Sequence, residues 1–186
     1  MRLEARAIAR GNPPGRLRRT GIGARRARGA VPHLLADPAA ALLVMGFGGG
    51  LSEDCEVGEV VVAQEVHGPG GLRAPCTDAE ALARALQDSG LKVRTGIVAS
   101  LTRLAVGETR VRLREYGAVA VDMESAWLAA AAAGRPFAVV RVLSDTPTSE
   151  QTPMATLAGI ARASSVLGQA AAALHAWTPG SAVTEG

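Results

Sequence analysis

Two short apolar runs, each closing on acidic residues and joined by an alanine-rich stretch, occupy residues 118–145 and constrain this chain more than any other feature. Residues 119–121 read as a buried strand that ends on Asp122, Met123 and Glu124. Residues 125–133 read as a helix stopped by Gly134 and Pro136. Residues 137–143 read as a second buried strand ending on Ser144 and Asp145. Strand, crossover helix and strand in this order predict a parallel, right-handed unit. Both C-terminal strand ends would then share one sheet edge, where open α/β sheets bind their ligands. Glu124 and Asp145 are therefore expected to face one pocket.

The rest of the chain alternates strand-like and helix-like segments, with no internal repeat and no linker. Helical spacing over 3–10 puts Leu3, Ala7 and Ile8 on one face, with Glu4 near the start. Residues 11–15 form a glycine and proline turn; 16–23 are expected as a short strand and 24–35 as a helix. Further strands are expected at 40–45, running into a glycine-rich turn at 46–51, and at 59–66 and 93–99. A helix over 77–89 is expected to open on Thr77 as N-cap, with Glu80 as its capping-box partner. Helices follow at 108–116 and, long and amphipathic, at 154–177. This alternation in 186 residues predicts a single α/β domain over 1–186. Residues 179–186 are expected as a frayed tail.

The longest helix-like apolar run, 126–133, falls well short of the ~18 residues that suggest a membrane span. The charged N-terminus is followed by no apolar stretch of the signal-peptide kind. A cytoplasmic location is the expectation. Cys55 and Cys76 make neither a disulfide framework nor a metal pattern. His33, His67 and His175 are scattered without metal-ligand spacing, so neither a metal nor an organic cofactor is expected. The net charge of +3 rests on arginine, since Lys92 is the sole lysine. Arg16, Arg18, Arg19, Arg25, Arg26 and Arg28 cluster. Three readings stay open for them: a solvated face, a site for phosphate or an anionic membrane surface, and nucleic-acid contact. The cluster lacks the interleaved aromatics of single-strand binders, and nucleic acid is not expected as a partner.

With no Ser-His-Asp arrangement in view, the chemistry falls to carboxylates and arginines. A carboxylate buried at a strand end can hold a raised pKa and deliver a proton. A second carboxylate can hold two sugar hydroxyls. The pair suits a reaction in which a leaving group is protonated while a cationic sugar forms. Thr-Gly-Ile-Gly at 20–23, ahead of a helix, can bring backbone N–H groups to an anion. It lacks the third glycine and the Gly-Lys-Ser/Thr ending of the named nucleotide loops.

Ala-Val-Asp-Met-Glu-Ser-Ala at 120–126, followed by Val-Val-Arg-Val-Leu-Ser-Asp at 139–145, resembles the nucleoside phosphorylase/nucleosidase superfamily. That family includes purine nucleoside phosphorylases and methylthioadenosine/S-adenosylhomocysteine nucleosidases, and the resemblance implies a three-layer α/β/α form around a central mixed, mostly parallel sheet. Gly-Phe-Gly-Gly-Gly-Leu at 46–51, Val-Gly-Glu-Val-Val-Val at 57–62 and the 20–23 turn are similar to its other motifs, in family order over about 3–150. Within the family, the 120–125 motif, the 46–51 turn and the Leu-Glu-Ala-Arg opening at 3–6 most resemble the hopanoid-associated phosphorylases. Those act on adenosylhopane and release adenine.

The resemblance implies roles for individual residues. Asp145 matches the acid that protonates the purine at N7, with Ser144 orienting it. Glu124 matches the glutamate on the ribose hydroxyls, and Met123 the methionine beneath the ribose. Arg141 matches an arginine near the nucleophile, and Glu4 the glutamate that positions attacking water. Phe47, Gly48 and Ile22 are expected to line the substrate pocket. Gly21, Gly23 and Arg25 are expected to hold phosphate, if inorganic phosphate is a co-substrate. Phe47 stands where the nucleosidases have a serine beside the nucleophile. In the family a strand precedes the glutamate that Glu4 matches, whereas three residues precede it here, and the segment from Glu4 to Gly21 is shorter than in the nucleosidases. These shortened N-terminal elements imply a pocket open on its 5′ side. The implied activity is N-glycosidic cleavage of a purine nucleoside by phosphorolysis or hydrolysis, with a lipid-linked nucleoside such as adenosylhopane as substrate. Peripheral membrane contact and a homo-oligomer are also implied. The alternatives are a methylthioadenosine-type nucleosidase, a futalosine hydrolase, and an inactive nucleoside-binding protein.

Overall fold

The computed structural model describes residues 2–149 and 153–179. Its elements, in order, are α1 (Arg2–Arg10), α2 (Ala24–Leu35), β1 (Leu42–Gly50), β2 (Val60–His67), β3 (Arg73–Pro75) and α3 (Ala79–Asp88). Then come β4 (Val93–Ser100), α4 (Glu108–Glu115), β5 (Ala118–Asp122), α5 (Ser125–Leu128), β6 (Phe137–Asp145) and α6 (Pro153–Ala173). The six strands form one mixed sheet in the order β3-β2-β4-β5-β1-β6, and β2 also pairs with β6. Five strands therefore close into a ring. The longest pairings, β1–β6 and β2–β4, are parallel.

Strand alternation divides the core into two layers. Ala138, Val140 and Val142 of β6 meet Ala7, Ile8, Leu82 and Leu167 from α1, α3 and α6. Phe137, Val139 and Leu143 meet Ala27, Leu34, Trp127 and Leu128 from α2 and α5. Val60, Val61 and Val62 of β2 are all fully buried. A near-continuous apolar run of this kind marks a strand covered on both faces. The α/β fold follows from the alternation, and helices on both sides of a mixed sheet are what the family resemblance implies.

Several local expectations are corrected. The 118–145 stretch is not a parallel strand-helix-strand unit. β1 lies between β5 and β6, antiparallel to the first and parallel to the second. Glycines at 46, 48, 49 and 50 let β1 come close to both neighbours, and what reads as a turn at 46–51 is strand as far as Gly50. The strand ends still converge, because Gly49 stands opposite Val121 and opposite Asp145. The intervening helix covers only Ser125–Leu128 before tightening over Ala129–Ala131. Residues 16–23 form no strand. Gly21 and Gly23 take φ of +87° there, a conformation that glycine permits and a strand does not use. Asp78, not Thr77, precedes α3. The Thr77 hydroxyl accepts from Phe137 N–H at 3.2 Å, and Glu80 accepts from Gln64 at 2.9 Å instead of closing a capping box.

The expectation that no run nears membrane-spanning length is also corrected. Leu157–Ala176 has 20 residues at a mean hydropathy of 1.2, long and apolar enough to cross a membrane by those measures. A third of that stretch, 33%, is buried in this fold. Ala163, Leu167, Ala170, Ala171 and Leu174 are buried in the layer that also holds Ala7 and Ile8 of α1. Residues 180–186 of the expected tail lie outside the described residues.

Candidate active site

The site is built along the glycine-rich end of β1. At its near end, Glu4 of α1 reaches the strand, and its Oε1 accepts from Phe47 N–H at 2.9 Å. A Cβ at Gly46 would stand 2.5 Å from Arg141 Nη1 and 2.9 Å from Glu4 Oε1. Glycine here is what lets the guanidinium and the carboxylate share the space over the strand.

Arg141 occupies a position of β6 between Val140 and Val142 and is 2% exposed. Its Nη2 lies 2.7 Å from Asp122 Oδ2, 3.6 Å from Glu124 Oε2 and 2.8 Å from Ser125 Oγ. Burial opposes its charge, but Asp122, Glu124 and Glu4 together outweigh that and raise its pKa above the ordinary arginine value. Asp122 in turn builds the turn that presents Glu124. Its Oδ1 accepts from Ser100 Oγ at 2.5 Å, Glu124 N–H at 3.2 Å and Ser125 N–H at 3.3 Å. Glu124 Oε1 accepts from Gly23 N–H at 2.7 Å, which ties the start of α2 to the site. Burial raises the Glu124 pKa, with Asp122 and Glu4 adding to it against Arg141 and the Gly23 N–H. Met123 is half-buried within the same turn.

At the far end, the β1–β6 register slips between Gly48 and Gly49, so that Ser144 bulges out of the pairing. Bulges re-aim side chains, and this one sets Ser144 beside Asp145. The Ser144 hydroxyl lies 2.9 Å from Asp145 Oδ1 and 3.4 Å from Gly48 O. Asp145 Oδ2 accepts from Arg110 Nη2 of α4. Arg110 is the residue that sequence reasoning missed. It is 4% exposed, and it also donates to Gly50 O at 2.5 Å and Ala105 O at 3.0 Å. The available signal was weak: Arg110 stands three residues before Leu113, on the same side of an arginine-rich helix. Ser100 and Asp122 were likewise not singled out as site residues.

The structure thus brings Glu4, Phe47, Gly48, Met123, Glu124, Arg141, Ser144 and Asp145 to one region. Phe47 contributes its backbone there, while its ring packs on the layer of α1, α3 and α6. Ile22, Gly23 and Arg25 line an open hollow of about 540 Å³ with Arg28 and Thr102. Ile22 is 46% exposed. The Gly23 N–H, the donor expected for phosphate, is engaged by Glu124. A second cavity of about 670 Å³ meets the site at Glu4 and is lined by Gly21. Ile8, Leu17, Leu43, Met45 and Trp177 give it largely apolar walls, and neither Glu124 nor Asp145 lines it. The clustered arginines are exposed; Arg18 pairs with Asp37 at 3.1 Å, and Arg28 lies 5.5 Å from the centre of the Trp127 ring. Burial pushes the Cys76 thiol up to about 12, away from the thiolate form that attacks as a nucleophile. Among the described residues no three His, Cys, Asp or Glu side chains are grouped to hold a metal ion.

Residues 12–176 match the phosphorylase superfamily. No curated protein matches the sequence. Among solved structures, the futalosine hydrolase of Helicobacter pylori superposes with a TM-score of 0.79 at 16% identity, over 94% of each chain. The Neisseria meningitidis 5′-methylthioadenosine/S-adenosylhomocysteine nucleosidase, in complex with methylthio-immucillin-A, gives 0.72 at 22% identity, over 84% of this chain and 78% of that one. The corresponding nucleosidase of Colwellia psychrerythraea, in complex with adenine, gives 0.65 at 22% identity, over 84% and 76%.

Proposed function

Since the chain belongs to the phosphorylase superfamily, we propose that it is an enzyme that cleaves the N-glycosidic bond of an adenine nucleoside. The observation that carries this reading is that Glu4 and Asp145 lie over glycines of β1, with Glu124 joined to the same strand through Arg141. Asp145 protonates the base as the bond to the sugar breaks, so the electron pair leaves on a neutral purine. Glu124 holds the sugar hydroxyls and offsets the positive charge developing on the ring. Water bonds to the anomeric carbon and gives its proton towards Glu4, and the proton that Asp145 delivered is restored from solvent. Three carboxylates acting on the single Arg141 guanidinium disfavour a phosphate dianion there. That balance, with the Gly23 N–H engaged by Glu124, supports water as the nucleophile.

The proposed substrate is an adenine nucleoside carrying an apolar 5′ tail, adenosylhopane in the first instance, with release of adenine in the cytoplasm. The apolar cavity that opens beside Glu4 supports this choice. A second reading, futalosine hydrolysis, is favoured by the superposition over 94% of both chains. Purified protein incubated with adenosylhopane, methylthioadenosine or futalosine, with and without phosphate, is expected to release free base without phosphate, fastest from adenosylhopane. Release from none of the three sinks the enzyme reading and leaves a nucleoside-binding protein; dependence on phosphate overturns water as the nucleophile. Asp145→Asn is expected to lower kcat by about 100- to 10,000-fold, the usual range for a lost proton donor. An unchanged rate would show that another group is the acid.

A further inference from the structure

We infer that Arg110 is a positioning residue for Asp145, pinning one carboxylate oxygen so that the other, beside Ser144, carries the proton delivered to the base. The inference rests on the reading of Asp145 as the acid. Its geometric basis is independent of that reading. Arg110 is almost wholly buried on a helix whose other charged residues are exposed. Gly107, with φ +50°, turns the chain into α4 and precedes Arg110 by less than one turn. The side chain folds back over Ala105 O and crosses to Gly50 O at the end of β1 and Asp145 at the end of β6. It therefore braces the two strand ends where their register slips.

The two carboxylate oxygens are held differently. Oδ2 faces a guanidinium, which cannot give up its proton in a protein. Oδ1 faces the Ser144 hydroxyl, which can turn from donor to acceptor. Only at Oδ1 can a proton be carried without displacing a fixed positive charge. Gly49 supplies a second observation. A Cβ there would stand 3.1 Å from Arg110 Nη2 and 3.2 Å from Asp145 Oδ2. The strand passes under the ion pair without a side chain, so the pair has been given room from below as well as a donor from α4.

The test is a double-mutant cycle on release of free base, using whichever nucleoside the wild type turns over fastest. Arg110→Gln is expected to lower kcat by about 100-fold, as misplacing a reacting group does, with KM changed less than threefold. Arg110→Lys is expected to recover part of that loss. Combining Arg110→Gln with Asp145→Asn is expected to be no slower than Asp145→Asn alone, because residues acting as one unit are not additive. Multiplying losses in the double variant would overturn the inference while leaving the acid assignment intact. If Arg110→Gln does not fold, Gly49→Ala, which crowds the pair from the strand side, takes its place in the cycle with the same expected and overturning results. No loss from Asp145→Asn, or no turnover by the wild type, overturns the acid reading and this inference with it.

Discussion

Two buried arginines hold the two ends of the site, and they do so in opposite ways. Arg141 stands in the middle of an interior strand, where its neighbours in the chain are valines, and is met by Asp122, Glu124 and Ser125. Arg110 comes from a surface helix and is met by two backbone carbonyls and Asp145. A charge in the interior is tolerated only when it is paired and hydrogen-bonded. For Arg141 the pairing is with side chains that also shape the ribose side, so its removal leaves several carboxylates without a counter-charge. Arg110 is instead held at two backbone carbonyls and carries Asp145 on the same guanidinium. The first arginine is bound up with the fold, the second with the orientation of Asp145.

The largest effect expected from removing either arginine is on stability. Arg141→Met is expected to cost about 3–5 kcal/mol, the usual penalty for leaving a buried ion without its partner. In thermal melts this appears as a drop in Tm of about 10 °C, or as failure to fold. Arg110→Gln is expected to cost less, about 1–3 kcal/mol for buried carbonyls left without donors. A larger loss for Arg110 than for Arg141 in paired melts would reverse the comparison. Gly46→Ala sharpens it further. The added Cβ would press on Arg141 Nη1 and Glu4 Oε1, and an overpacking cost of about 1–3 kcal/mol is expected. A melt indistinguishable from wild type would mean that the two side chains move aside freely.

The smallest effect concerns pH. Burial raises the Glu124 pKa in the folded chain, so the protonated form favours folding relative to the charged one. That contribution is present in full below the unfolded carboxylate pKa and is lost as pH rises through the raised folded value. The stability of the wild type minus that of Glu124→Gln should therefore fall as pH rises from about 4, the reference carboxylate range, and then level off. Melting both proteins over a pH series checks the sign; a difference that grows with pH would show that Arg141 and the Gly23 N–H win over burial.

Much of the site was legible in the chain because its residues sit at the ends of strongly apolar runs. Asp145 after 137–143 and Glu124 after 119–121 needed only strand alternation to place them near a sheet edge. The route by which they meet was not legible. Gly49 opposite both Val121 and Asp145 requires β1 to pass between β5 and β6, and a run of glycines reads locally as a turn. Arg110 was hidden for a related reason. One arginine among several on a short helix carries no mark of which one turns inward, since the carbonyls of Ala105 and Gly50 that receive it become neighbours only on folding.

Most of the strands, and the carboxylates that end two of them, can be read from the chain alone. These follow from apolar periodicity, a property of nearest neighbours along the chain. Only the tertiary structure decided the closure of β2 on β6, the place of β1 between the two acidic strand ends, and the partner of each acid. Those depend on how closely backbones approach and on which buried charges find one another, and both are settled by residues far apart in the chain. Arg110 and Asp145, thirty-five positions apart, meet over a glycine that belongs to neither of their segments.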